Sequence, residues 1–200
     1  NSLYRIVCPA ARKLRQFIYQ DAGLLTSLYY AWQGCTELES VPNIDTSNVT
    51  DFQYSLHSTA IRQGPNWDTS SSTTFKAMFA ACRFLEKVPE YDYSSVTDLS
   101  SMFSACENLK SLKVGNAPNV TNASSMFSRC ASLASIAFTG GGVSTATNLS
   151  SIFYYCHKLS VLQNFRTNSA TNLSSSTIIG NINTPTSILC TPSITAALCI

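Results

Sequence analysis

Hydrophobic positions return along this chain with a period near 24 residues. Cys82, Cys106, Cys130 and Cys156 are separated by 24, 24 and 26 residues, and Cys35 lies 47 before Cys82, two units with the intervening cysteine replaced by Thr59. Thr97-Asp98-Leu99-Ser100-Ser101-Met102-Phe103 precedes Cys106, and Thr121-Asn122-Ala123-Ser124-Ser125-Met126-Phe127 precedes Cys130. Thr147-Asn148-Leu149-Ser150-Ser151-Ile152-Phe153 precedes Cys156, and Thr73-Thr74-Phe75-Lys76-Ala77-Met78-Phe79 precedes Cys82. Three residues after each cysteine comes Leu38, Leu85, Leu109, Leu133 or Leu159, and three further on Val41, Val88, Leu112, Ile136 or Leu162. The units are four strong copies, a good one at 26–49, a degenerate one at 50–72 and a start at 171. A fixed period of this length marks stacked repeats.

Within a unit, Leu99, Met102, Phe103 and Cys106 stand at i, i+3, i+4 and i+7, which predicts one face of a short helical turn. The leading Thr is expected to cap that turn with its hydroxyl. Leu112 and Val114 alternate with Ser111 and Lys113, as in a short strand buried on one face. One unit buries too little to offset its ordering entropy, whereas stacked units share a core. The expectation is an α/β repeat solenoid of six to seven units over 26–175, with a short-strand sheet on one side and short helical turns on the other. Strand spacing makes seven such rungs roughly 30 Å long. Two strand segments, Val41-Pro42-Asn43-Ile44 and Val88-Pro89-Glu90-Tyr91, carry proline, which cannot donate to a ladder, so the sheet is expected to be irregular there.

The pattern T-[DN]-L-S-S-[MI]-F-x-x-C-x-x-L-x-x-[LIV] resembles the BspA-like leucine-rich repeats of bacterial surface and lipoprotein-type proteins. Phe79, Phe103, Phe127 and Phe153, with their cysteines and the leucines that follow, carry the resemblance. It covers about 26 to 175. The unit at 50–72 departs from it, with Leu56 for the aromatic and Thr59 for the cysteine. The resemblance implies a right-handed leucine-rich-repeat-like solenoid. It also implies extracellular binding or adhesion on a bacterial surface, or a place in a phage virion.

The ends do not follow the repeat. Pro9 to Asp21 reads as a helix with Leu14, Phe17 and Ile18 on one face and Arg5, Arg12, Lys13 and Arg15 nearby. Residues 1–25 are read as an N-terminal helical cap, the alternative being a basic amphipathic helix for an acidic partner or lipid. No charged residue occurs from Thr167 to Ile200. The stretch 176–200 is read as a C-terminal cap or docking segment. The chain opens Asn-Ser-Leu without Met, which reads as a processed chain or a piece of a longer one.

Composition narrows the function. Ser, Thr and Asn number 30, 20 and 14 of 200 residues, while charged residues make up only 12%. A net charge of +2 argues against nucleic-acid binding, which needs a basic patch to displace counterions. No apolar run reaches membrane-spanning length. The column cysteines share one core position and read as buried free thiols rather than disulfides. A Cys190–Cys199 bridge stays open on sequence grounds, and so does the state of Cys8. There is no C-x-x-C and no pair of histidines at ligand spacing, so no metal or cofactor is expected. His57 and His157 read as surface or lining imidazoles. Gly140-Gly141-Gly142 reads as a loop insertion rather than a phosphate cradle. Asn48, Asn119, Asn122, Asn148 and Asn172 open glycosylation sequons, but turn hydrogen bonding explains Asn there equally well. No nucleophile, base and orienter converge, so the chain reads as non-enzymatic.

What remains is the outer face. Ser40, Lys87, Ser111, Lys113, Ser135 and Gln163 fall at outward strand positions, with Trp67, Tyr91, Tyr93 and Phe165 near the strand ends. A small-polar face with aromatics suits recognition of a protein or glycan on a host or neighbouring cell. The alternative is a virion component such as a tail, fibre or capsid decoration, whose partners are neighbouring subunits. A further alternative makes Trp67 and Phe165 core residues.

Overall fold

The computed structural model describes residues 25–166 and 169–172. The two expected caps lie outside the described residues, except for Leu25, the last residue of the first. Each unit forms one rung, and the rungs stack in parallel register starting at Thr26, Thr50, Thr73, Thr97, Thr121, Thr147 and Thr171. The N–H of each threonine donates to the carbonyl of the threonine one rung earlier, at 2.9–3.0 Å. The hydroxyls of Thr73, Thr97 and Thr121 aim at the same carbonyls, at 3.1, 3.2 and 3.3 Å. The hydroxyl expected to cap a helix therefore ties rung to rung.

The next position forms a column of parallel bridges, Ser27, Asp51, Thr74, Asp98, Asn122, Asn148 and Asn172. Each side-chain oxygen from Ser27 to Asn148 accepts the backbone N–H two residues on, as in Asp98 to Ser100 at 2.8 Å and Asn122 to Ser124 at 3.1 Å. This local turn bond is what Asp and Asn supply at that place in the repeat.

The segment before each cysteine is not helical, and no helix occurs among the described residues. Its N–H groups alternate between two partners. Phe75, Ala77, Phe79 and Ala81 donate to Asp98, Ser100, Met102 and Ser104 of the next rung, at 2.7–3.0 Å. Met78, Ala80 and Cys82 donate within the rung to the carbonyl three residues back. Two residues of each segment are held at positive φ, for example Ser101 at 57° and Ala105 at 58°, or Ser125 at 54° and Arg129 at 62°. A left-handed residue at every fourth position ends any helical run before it begins. The expected helical turns are thus replaced by a ladder of tight turns.

The ladder still turns the expected residues inward. Phe79, Phe103, Phe127 and Phe153 stack face to face, with ring centroids 5.5, 5.8 and 5.8 Å apart and planes within 12°. Beside them runs the buried, unbridged thiol column Cys35, Cys82, Cys106, Cys130 and Cys156. The Cys82, Cys106, Cys130 and Cys156 thiols donate to the carbonyls of Leu56, Phe79, Phe103 and Phe127 one rung earlier, at 2.9–3.2 Å. Thr59 stands in for the missing cysteine, its hydroxyl 2.9 Å from Leu56 O and 3.3 Å from Cys82 Sγ.

The other side carries a parallel sheet of three strands, β1 (Ser111–Val114), β2 (Ser135–Phe138) and β3 (Val161–Gln163), in that order. Ser111, Ser135 and Val161 lie in one row, and Lys113, Ala137 and Gln163 in another. In the earlier rungs Pro42, Pro65 and Pro89 take the second row, and only the bridge Gln63–Lys87 forms. Proline's missing donor is the reason.

Candidate functional site

The repeat register places the outward strand residues. Lys87, Ser111, Lys113, Ser135 and Gln163 line one open groove of about 390 Å³ across the strand face, together with Val88, Pro89, Glu90, Leu112, Ile136, Ala137 and Val161. Its floor is fixed by alternation, since Leu112, Ile136 and Leu162 point inward and are at most 8% exposed. Their neighbours must then face out. Ser40 is exposed and belongs to the same row of the repeat, but it is not part of the groove lining. Glu90 was not anticipated. Its carboxylate pairs with the Lys113 ammonium across the rung boundary, and both side chains are more than half exposed. The signal was available, since Glu90 lies one residue beyond Pro89, which shares a row with Lys113.

The expected aromatics do not join the groove. Trp67, Tyr91 and Tyr93 are 5%, 5% and 2% exposed and belong to the core, as does Phe165. For Trp67, Tyr91 and Tyr93 the cause is the proline row. Rungs without strands leave space on that side, and the aromatics turn in to fill it. Trp67 stacks on Trp32 at 5.7 Å, near Phe52, and so supplies the ring that Leu56 lacks. Tyr91 stacks on Phe79 at 6.1 Å, and Tyr93 meets Phe75 edge-on at 5.7 Å. Their polar tips take the carbonyls that the prolines present: Trp67 Nε1 donates to Pro42 O at 3.2 Å and Tyr91 Oη to Pro65 O at 2.9 Å. In the later rungs Val114 and Phe138 fill the same side from the strands.

The column thiols Cys82, Cys106 and Cys130 are held protonated. Burial pushes the Cys82 thiol up to about 11 and lifts Cys106 and Cys130 well above the ordinary thiol value. A thiol held protonated is a poor nucleophile and a poor metal ligand. Among the described residues, no cluster of His, Cys, Asp or Glu is arranged to hold a metal ion. His57 sits with Nδ1 2.9 Å from Ser58 Oγ, and burial lowers its pKa. The glycine run forms a tight turn in which Gly140 and Gly142 adopt positive φ. A Cβ on Gly142 would come within 2.9 Å of the Phe138 Cβ, so backbone packing accounts for it. Asn122 and Asn148 spend their side-chain oxygens on turn bonds.

A family model described as "Mycoplasma protein of unknown function, DUF285" matches residues 26–139 and again 90–178, together more than half of the chain. The chain belongs to this family. The matched stretches coincide with the rungs, so the DUF285 signature here is the repeat itself. No curated protein matches the DUF285 chain at a significant level. A leucine-rich repeat protein from Bacteroides ovatus is similar at 13% identity over 74% of this chain and 66% of that one, just under two thirds of its length. Its TM-score of 0.21 is too low to carry an argument about fold or function.

Proposed function

We propose that this DUF285 chain is a non-enzymatic recognition module of a leucine-rich-repeat-like solenoid, working outside the cell and gripping a protein or glycan through its strand face. The observation that supports the reading is the groove. Two lysines, a glutamate, two serines and a glutamine stand around an apolar floor, on the three strands and the proline-bearing rung beside them. Polar groups convergent on an apolar surface give orientation and burial together. The buried, protonated column thiols of Cys82, Cys106 and Cys130 favour binding over chemistry. The BspA-like form of the repeat supports placement on a bacterial surface.

The test is binding of the labelled chain to intact bacterial cells and to a glycan array. A paired variant carries Lys87, Ser111, Lys113 and Ser135 all changed to Glu. Saturable binding by the native chain, lost in the variant, is the expected result. Because new carboxylates on adjacent strands repel, a milder pair, Lys87→Ala with Gln163→Ala, and a thermal melt of each variant separate lost binding from lost folding. Binding that survives both variants refutes the strand-face reading. Binding by none of the samples favours the alternative in which neighbouring subunits of an assembly such as a virion are the partners.

A further inference from the structure

On the turn side, the residues that flank each cysteine change character along the stack. The pair just before it is Ala80-Ala81, then Ser104-Ala105, then Ser128-Arg129, then Tyr154-Tyr155. The second member of each pair sits at positive φ, 59° at Ala81 and Tyr155 and 62° at Arg129. The same position is filled by Gly34 in the first rung, the residue that meets this conformation without cost. Arg129 and Tyr155 thus hold large side chains at a backbone position that Gly34 fills without cost, and strained residues gather where a side chain has work to do.

Arg129, Tyr154 and Tyr155, with Glu107, Ala131 and His157, line a surface depression of about 290 Å³. That is close to the lower end of small-ligand sites, about 300 Å³. Tyr155 is 50% exposed and stands edge-on to Tyr154 at 4.3 Å and to His157 at 5.1 Å. Its ring is thus braced on two sides and open on another. Glu107 is engaged by Arg83 at 3.5 Å, whereas Arg129 has no ion pair among the described residues. Arg129 and the two tyrosines line the same depression, so the guanidinium and the rings face one space.

We infer that this depression is a second binding site, for a sugar residue bearing a carboxylate. A guanidinium fork matches a carboxylate with two parallel hydrogen bonds. The open ring of Tyr155 offers an apolar face to the C–H side of a pyranose, and the phenols and His157 supply hydroxyl partners. The inference shares the premise of a recognition protein but uses a different face, so it stands or falls apart from the groove.

The test titrates the whole chain with methyl glucuronide and with methyl glucoside, followed by chemical-shift change, at low and high salt. A sulfated methyl glucoside forms a third arm. The expected result is saturation by the glucuronide at about tenfold lower concentration than by the glucoside, the gain from one charged hydrogen-bonding pair. Arg129→Gln abolishes that preference, high salt weakens it, and Tyr155→Ser weakens both sugars. The strand-face variant retains the preference if its fold is intact, which thermal melts check for every variant. Equal affinity for the two sugars, a preference that survives Arg129→Gln, or no saturable binding of the glucuronide overturns the inference. Tighter binding of the sulfated sugar overturns the carboxylate assignment.

Discussion

Phe103→Ala probes the stack at its centre. Phe103 is fully buried and lies between two parallel rings, Phe79 at 5.5 Å and 4°, and Phe127 at 5.8 Å and 2°. Truncating a buried phenylalanine costs about 3–5 kcal/mol through lost transfer energy and the cavity left behind. Each aromatic pair contributes about 0.5–1.5 kcal/mol within that total, and two pairs are lost here. The neighbouring rings are fixed by their own rungs and cannot collapse into the gap, so we expect the upper half of the range, about 4 kcal/mol. For a domain of ordinary stability, about 5–15 kcal/mol, that is a large share. The loss also falls on the contact between rungs, which sets cooperativity in repeat proteins. Urea unfolding reads both effects. Trp32 and Trp67, the two tryptophans of the chain, lie in the first two rungs, so their fluorescence follows that end of the stack, while far-UV circular dichroism follows all of it. The native chain should give coincident transitions, and Phe103→Ala should shift the midpoint and separate the two probes. A loss under about 1 kcal/mol with coincident transitions would refute a continuous aromatic core.

Other consequences are as direct. Trp67→Ala should destabilise by about 3–5 kcal/mol in urea, because the ring fills the place of the aromatic missing at Leu56. Leu56→Phe should also destabilise, by about 1–3 kcal/mol, because Trp67 already occupies the space. The five column thiols should resist a thiol reagent in the folded chain and react on unfolding, as mass spectrometry can count. Stability should also fall with rising pH above the ordinary thiol value, since the unfolded chain ionises its thiols there, while the folded chain holds Cys82 to about 11. His57 has the opposite sign: the unfolded chain takes up its proton near 6.5, ahead of the folded one, so stability falls as pH drops below that value. Melts across pH should show that slope in the native chain and a flatter one in His57→Gln.

The repeat phase was legible because its marker positions have one job each. The threonine N–H must meet the threonine carbonyl one rung back, the Asp or Asn must close a local turn, and the cysteine must fit beside a phenylalanine. The prolines of the early rungs likewise announced where the sheet breaks. The turn ladder was not legible. Its inward residues Leu99, Met102, Phe103 and Cys106 keep helical spacing, and the left-handed positions carry Ser101, Ala105, Ser125 and Arg129 rather than glycine. Only the bonds between rungs distinguish the two, and a single unit does not reveal them. Tyr91 and Tyr93, and Trp67 in its outward reading though not in its core one, were misplaced for a related reason. Their loop setting suggested exposure, but the space they fill opens only when neighbouring prolines remove a strand. Alternation alone places Lys87, Ser111, Lys113, Ser135 and Gln163 along one groove, while the turn-side cluster around Arg129 and Tyr155 needs the stack to bring three rungs together.

Both proposed surfaces depend on the turn ladder, since it decides which side chains face out. Replacing Ala81 and Ala105 with glycine and measuring thermal stability tests it most directly. Relieving a left-handed alanine recovers about 1–2 kcal/mol per site, against the roughly 0.5–1 kcal/mol that glycine loses in chain entropy. The ladder therefore predicts unchanged or raised stability in the double variant. A fall of about 1 kcal/mol per site, the cost of glycine inside a helix, would contradict it.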